Sequence, residues 1–275
     1  MTVNILCIGD LVGGAGRDLL AEHLASFIAD HNVDFVVCNA ENVAGGSGLT
    51  PAIFEEIVRH GVDVVTMGDH VYRRREIIPI LESSSRIVRP TNLSRQAAGK
   101  RWTVVETKSG CCSVGVACVL GQMFMKPADS PWASVDQCLG EMDDDVRIRI
   151  IDFHAEASSE KIAMGWHLNG RVSVVFGTHT HIPTADSRIL DKGTAYISDL
   201  GMTGPYDSVL GRRKDHVLKA LTTSMRVRFD VARGDPRMCG ILVGVEAATG
   251  KAVSIERVEV SGRVQEEAYH EDGSQ

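Results

Sequence analysis

Short runs of β-branched and aliphatic residues alternate along the chain with stretches whose apolar positions recur every three or four residues. The first run, 3–8, leads into a Gly-rich turn, Gly13-Gly14-Ala15-Gly16. Leu20, Leu24, Phe27 and Ile28 then fall at i, i+4, i+7 and i+8, which predicts a helix with one apolar stripe. After a second run at 35–38, Thr50-Pro51 reads as the N-cap and first residue of a helix through Arg59, which Gly61 ends. Runs at 62–67 and 86–88, with a helix near 74–81 interrupted by Pro79, extend a βαβαβ pattern. That pattern predicts a sheet with parallel members.

The pattern then changes. Runs at 102–107 and 112–120 flank the turn signal Lys108-Ser109-Gly110 and predict a hairpin, so antiparallel strands join the system. Strands are expected at 146–153, 172–176 and 194–197, with a helix at 158–168 capped by Ser158. Three more, at 226–231, 241–246 and 252–260, make the end of the chain all-β, the last two joined through Ala248-Thr249-Gly250. Beyond Ser261 the sequence is acidic and polar, and 266–275 is expected to fray. With no internal repeat or Pro/Ser linker, the expectation is a single composite α/β domain over 1–265 with two β layers.

What interrupts the apolar pattern carries the chemistry. Five strands run into Gly9-Asp10, Ala40-Glu41-Asn42, Gly68-Asp69-His70, His154-Ala155-Glu156 and His179-Thr180-His181. Ligands of open α/β sheets bind outside the carboxyl ends of the strands, so these distant groups are expected to converge. Taken singly, each has an ordinary explanation. Gly9-Asp10 is a turn signal, His70 suits a turn, and His154 suits a core histidine. Their coincidence at five strand ends is what points to a metal centre.

The set offers oxygen and imidazole donors without a thiolate, which suits Mn, Fe or Zn, and exceeds what one ion requires. Two ions roughly 3.5–4 Å apart that share a carboxylate are a standard device for in-line hydrolysis at phosphorus: they generate a hydroxide nucleophile and hold the phosphoryl oxygens. A separate acid must then protonate the leaving oxygen.

Composition narrows the partners. Thirty-six acidic against 29 basic side chains give a net charge of −7, with no Lys/Arg block to track a polynucleotide, so no extended nucleic-acid footprint is expected. A phosphate-bearing small molecule would instead need metal ions as its local positive charge. The seven cysteines include no C-x-x-C pair, and Cys7, Cys38 and Cys118 sit in apolar runs, as in a reduced cytosolic protein. No apolar stretch approaches the roughly 20 residues that span a bilayer, and the start of the chain lacks a basic n-region, so a cytoplasmic location without membrane association is expected.

The order and spacing of these motifs resemble the calcineurin-like metallophosphoesterases, and more closely their bacterial YmdB-like branch of cyclic-nucleotide phosphodiesterases. The resemblance spans nearly the whole chain. It takes in Arg89-Pro90-Thr91-Asn92, Asp152-Phe153-His154-Ala155-Glu156, Gly177-Thr178-His179-Thr180-His181 and Asp199-Leu200-Gly201-Met202 as well as the strand ends. It implies a four-layer αββα sandwich of two mixed β-sheets and two divalent or mixed-valence ions, Fe or Mn, with Zn also tolerated. It further implies homo-oligomerisation and a 2′,3′-cyclic nucleotide or other phosphodiester as substrate. Asp10, Glu41, Asn42 and His181 would surround the first ion, with Val12 where the wider superfamily has a histidine. Glu41, Asp69, His154 and His179 would hold the second, Glu41 bridging, and His70 would be the proton donor.

One position departs from the family motif Gly-Asn-His, because this chain has Gly68-Asp69-His70. An aspartate still ligates through oxygen, but two divalent ions less Asp10, Glu41 and Asp69 leave about +1 where the amide version leaves about +2. Slower hydrolysis is therefore expected, with Asp69→Asn faster than the parent. The alternative function is a catalytically weakened metal- and nucleotide-binding regulator on the same scaffold. Arg17, Arg73, Arg74 and Arg75 are candidates for phosphate contact or plain solvated positions, and Tyr206 for base stacking or packing.

Overall fold

The computed structural model describes residues 1–263, so the expected frayed segment at 266–275 lies outside the described residues. The chain opens with β1 (Thr2–Ile8), β2 (Asp10–Leu11) and α1 (Gly13–Leu19), which passes through a π-helical turn at Leu20–Leu24 into α2 (Ala25–Asp30). There follow β3 (Phe35–Asn39), α3 (Pro51–Arg59), β4 (Val64–Thr66), α4 (Ile78–Ser83) and β5 (Ile87–Val88). The middle contains β6 (Trp102–Glu106), β7 (Ser113–Leu120), α5 (Pro131–Glu141), β8 (Ile148–His154), α6 (Ser158–Leu168) and β9 (Val174–Thr178). The rest is β10 (Arg188–Ile189), β11 (Ala195–Ile197), β12 (Met202–Pro205), α7 (Lys214–Thr223), β13 (Pro236–Glu246) and β14 (Ala252–Ser261).

Two mixed sheets result. In the eight-stranded sheet β1, β3, β4 and β5 run parallel, while β13 inserts antiparallel beside β1, from Thr2 opposite Glu246 to Ile8 opposite Gly240. In the six-stranded sheet β7, β8, β9 and β11 are parallel, with β6 and β10 as antiparallel edges. Strands buried on both faces read as unbroken apolar runs, which is why alternation is weak in β1, β3 and β8.

Alternate residues of those strands feed different cores. Ile5, Cys7, Phe35 and Val243 of one sheet meet Val116, Ile150, Val174 and Phe176 of the other. Leu6, Ile8 and Val36 turn outward onto Leu20, Leu24, Phe54 and Ile57 of the helices covering the first sheet. Val119, Ile151 and Val175 turn outward onto Val135, Cys138 and Met164 of α5 and α6. Helix, sheet, sheet and helix therefore stack in four layers, the αββα architecture.

Local chemistry explains the departures from expectation. Thr50 accepts from the Ile53 amide at 3.4 Å and starts α3 as expected. Pro79 lies in the first turn of α4, where its missing N–H costs nothing, so it opens that helix rather than interrupting one. Ser158 is the first residue inside α6 and makes no cap, because Ala157 occupies the N-cap position. The expected strand at 226–231 does not form; Val231 makes only an isolated bridge to Arg212. Among the described residues, no helix is long and apolar enough to cross a membrane.

Candidate metal centre

The five polar strand ends converge at one edge of the sandwich. Parallel strands deliver their carboxyl ends to the same side, and small residues let the following loops approach: a Cβ on Gly9 would lie 1.9 Å from the Gly201 carbonyl oxygen. Asp10 and Glu41 are fully buried, and His154 closes β8 with no exposed surface. Three overlapping groups arise, Asp10–Glu41–His154, Glu41–Asp69–His70 and Asp69–His154–His179, each with donor atoms within 4.8 Å of one another.

The histidine tautomers follow from their outer partners. Thr178 Oγ1 donates to Asp152 Oδ1 at 2.6 Å, so its oxygen accepts from His154 Nδ1–H at 2.8 Å and Nε2 is left facing the carboxylates. That Nε2 lies 3.5 Å from Glu41 Oε2, 3.4 Å from Asp69 Oδ1 and 3.1 Å from His179 Nδ1. Asp152 is itself gripped by Thr66 Oγ1 at 2.5 Å and Asn39 Nδ2 at 3.0 Å. This buried relay fixes the ring, as outer partners do around metal ligands. His181 Nδ1 donates to the Leu210 carbonyl at 3.1 Å, turning Nε2 towards Asn42 at 3.1 Å and Asp10 Oδ1 at 3.8 Å.

His179 and His181 do not share one side of an extended segment, as their spacing predicts. Both have positive φ, 94° and 65°, so the loop is coiled, and the rings diverge to the Asp69–His154 and Asp10–Asn42 ends of the cluster. Asn42 presents Nδ2 to Glu41 Oε1 and His181, and Oδ1 to His70 Nδ1 at 2.9 Å. To offer a cation its oxygen, the amide must turn over, an exchange of nearly isosteric ends. His70 is held from inside: its N–H donates to Glu41 Oε2, and Nδ1 contacts Glu41 Oε1 at 2.9 Å. Its Nε2 faces the rim, 3.9 Å from Asp69 Oδ2. Glu156 stands outside, 3.2 Å from His179 Nε2.

The electrostatics call for cations. Burial pushes the Asp10 carboxyl up to about 6 although His181 and His154 oppose it. Burial works the same way on Glu41, but His154 and His70 outweigh it and hold the group at about 2. His154 is raised to about 10 against its burial by Glu41 and Asp69, while burial and the adjacent His154 lower His179 to about 4. In other words, one imidazolium stands in for the positive charge that three carboxylates require.

Buried and without a hydrogen-bond partner, Asp10 Oδ1 and Asp69 Oδ1 are the two orphaned acceptors of the cluster. A Cβ on Gly68 would lie 2.3 Å from His154 Nε2 and 2.4 Å from Glu41 Oε2, so only glycine leaves this cradle open. Orphaned oxygens, inward-turned imidazole nitrogens and no thiolate fit divalent Mn, Fe or Zn.

Sequence reasoning missed two parts of this arrangement. Asp152, Thr178 and Asn39 form the relay behind His154, and the signal for it was the charged residue inside the apolar run of β8. Lys126 Nζ reaches Asp69 Oδ2 at 2.9 Å, from a loop with no motif of its own. Arg17 is committed to Glu56 at 3.0 Å, Arg74 to the Ala44 carbonyl, and Arg75 opens the short helical turn before α4. Tyr206 packs, donating to the Met202 carbonyl with Arg237 over its ring.

Similarity to known proteins identifies the family. The model of the YmdB-like protein family matches residues 6–258. A Bacillus subtilis protein described as 2′,3′-cyclic-nucleotide 2′-phosphodiesterase is 41% identical over 256 residues, covering 93% of this chain and 96% of that one. A crystal structure of a novel phosphatase from Mycoplasma pneumoniae superposes with a TM-score of 0.88 at 31% identity, covering 95% of this chain and 94% of that one. A hypothetical protein from Thermus thermophilus does so with 0.88 at 35% identity, covering 95% and 100%. The chain therefore belongs to the YmdB-like family and is a hydrolytic enzyme of the metallophosphoesterase type.

Proposed function

We propose that the protein is a two-metal phosphodiesterase that opens 2′,3′-cyclic nucleotides, working with Fe or Mn. The observation that carries this reading is the pair of buried, unpartnered carboxylate oxygens, Asp10 Oδ1 and Asp69 Oδ1, facing histidine nitrogens in overlapping donor groups. The phosphodiesterase named for the Bacillus subtilis relative supports the choice of substrate.

Asp10, Glu41, Asn42 and His181 would hold one ion and Glu41, Asp69, His154 and His179 the other. When bound, the ions supply Lewis acidity and lower the pKa of water towards neutrality. The chain does the rest. The Asp152–Thr178–His154 relay keeps one imidazole nitrogen turned inwards. Water gives up a proton to solvent and adds to phosphorus, the bond from phosphorus to the ribose 2′-oxygen breaks, and that oxygen takes a proton from His70, which solvent restores. His70 suits the role because Glu41 holds its Nδ1 at 2.9 Å, leaving Nε2 at the rim where a leaving group departs.

Stripped protein should turn over neither 2′,3′-cyclic AMP nor bis-(p-nitrophenyl) phosphate, and reloading with Mn or Fe should restore both. Full activity after complete removal of metal, or two bound ions with no turnover, would contradict the proposal, the second in favour of a regulator.

A further inference from the structure

One cavity, about 650 Å³, contains none of the cluster residues. A smaller one, about 460 Å³, has Asp69 in its wall together with Val71, Tyr72, Leu93, Ala97 and Lys126. We infer that this second cavity takes the nucleoside of the substrate, ribose at its mouth and base within. The inference rests on the cyclic-nucleotide reading above.

Position is the first argument. Asp69 in its wall lies 3.9 Å through Oδ2 from His70 Nε2, so the cavity adjoins the side where the leaving oxygen is protonated. In a 2′,3′-cyclic diester that oxygen belongs to the ribose, so the nucleoside extends from the same side. Asp69 divides the two spaces: Oδ1 faces His154 in the cluster and Oδ2 faces Lys126 at the cavity.

Shape is the second. The volume lies within the roughly 300–1,000 Å³ usual for small-molecule sites. Val71, Leu93, Ala97, Leu120 and Pro127 give apolar walls, and Tyr72 adds an aromatic ring whose hydroxyl donates to the Ala98 carbonyl at 2.6 Å, which fixes it in place. Such a lining binds a flat base by area, so purines should bind more tightly than pyrimidines.

Arg89-Pro90-Thr91-Asn92, which the metal centre does not use, braces the cavity walls. Arg89 is 1% exposed and has no carboxylate partner among the described residues. It donates instead to the carbonyls of Pro90 at 2.7 Å, Ser94 at 3.2 Å and Gly99 at 3.2 Å. Asn92, equally buried, donates to the Leu120 and Asp129 carbonyls and accepts from the Leu120 amide. These two side chains spend their polar capacity on the loops that carry Leu93, Ala97, Leu120 and Lys126. Such a preorganised wall is what a binding site needs.

The test fills the cavity without touching the metal cluster. In Mn-loaded Ala97→Trp, KM for 2′,3′-cyclic AMP should rise at least tenfold with kcat within threefold and inhibition by inorganic phosphate unchanged. Adenosine, followed by saturation-transfer NMR so that no turnover is needed, should bind the parent and not the variant. If Ala97→Trp does not fold, Ala97→Leu replaces it, with a rise in KM of at least threefold expected. Unchanged KM and adenosine binding in a folded variant would overturn the inference. If the parent ignores cyclic nucleotides yet hydrolyses another diester, the substrate reading fails, and adenosine decides the cavity by itself: binding lost in the variant keeps the subsite, whereas absent or unaltered binding ends it.

Discussion

At the scale of single residues, Asp69 stands where the resemblance read from the sequence expects asparagine, and Lys126 changes what that difference means. Asp69 should leave the centre one charge poorer than an asparagine would. Its Oδ2, however, is paired with Lys126, and although burial opposes ionisation, His154 and Lys126 hold the carboxyl well below the usual range. The ammonium restores part of the missing charge from outside the cluster. Exposed pairs are worth about 0.2–1 kcal/mol, and the Lys126 side chain is 60% exposed. Lys126→Ala should therefore weaken phosphate inhibition about two- to fivefold with Asp69 in place, and less than twofold in an Asp69→Asn background. Equal effects in both backgrounds would mean that Lys126 does not act through Asp69. For the same reason the gain from Asp69→Asn alone should be smaller than a full unit of charge suggests.

Residue chemistry also ranks the cysteines. Ser109 and Thr107 hydrogen-bond exposed Cys111 and lower its thiol, while burial raises neighbouring Cys112 to about 11. Thiolate therefore forms at Cys111 at lower pH than at an ordinary cysteine. Iodoacetamide with peptide mapping should label Cys111 first, and Ser109→Ala should move its labelling profile to higher pH; prior labelling of Cys112 would contradict this. The candidate ligands were legible in the sequence because each interrupts an apolar run at a strand end. Lys126 was not, since only folding brings its loop to Asp69, and the opposite directions of His179 and His181 depend on positive φ values that the spacing does not reveal.

At the scale of elements, the buried Lys161–Asp199 pair ties α6 to the site. Lys161 Nζ donates to Asp199 Oδ2 at 2.5 Å and to the Thr178 carbonyl at 2.8 Å, and Asp199 Oδ2 also accepts from both the amide and the hydroxyl of Thr180. The residue between His179 and His181 is thus pinned by a charge that Lys161 neutralises. Removing one partner of a buried pair leaves an uncompensated ion, so Lys161→Met should cost about 3–5 kcal/mol in metal-free urea unfolding, with Asp199→Asn added to it recovering part of the loss. A cost under about 1 kcal/mol would show the carboxylate to be neutral or solvated.

Most strands, the hairpin of β6 and β7 and the helix at Thr50-Pro51 could be read from periodicity and caps. Helix α5 carries the same kind of start, Ser130 accepting from the Ala133 amide with Pro131 after it, and its lower amphipathicity hid it. The false strand at 226–231 had the right β-branched residues but no partner edge, and pairing across distant segments decides that, not local preference.

Across the whole molecule, a composite α/β domain with two β layers could be read from the switch between βαβ units and hairpins and the four-layer αββα stack from the family resemblance, whereas the insertion of β13 beside β1 followed from neither. That contact joins opposite ends of the chain, and no local signal encodes it. Its consequence is functional, because a central, doubly buried β1 delivers Asp10 to the middle of the cluster. The central claim is that this cluster holds two ions. Elemental analysis of protein stripped, reloaded with Mn and freed of excess metal tests it most directly: the account predicts about two ions per chain, falling to about one in folded His154→Ala and His179→Ala. One ion in the parent, or two retained in both variants, would contradict it.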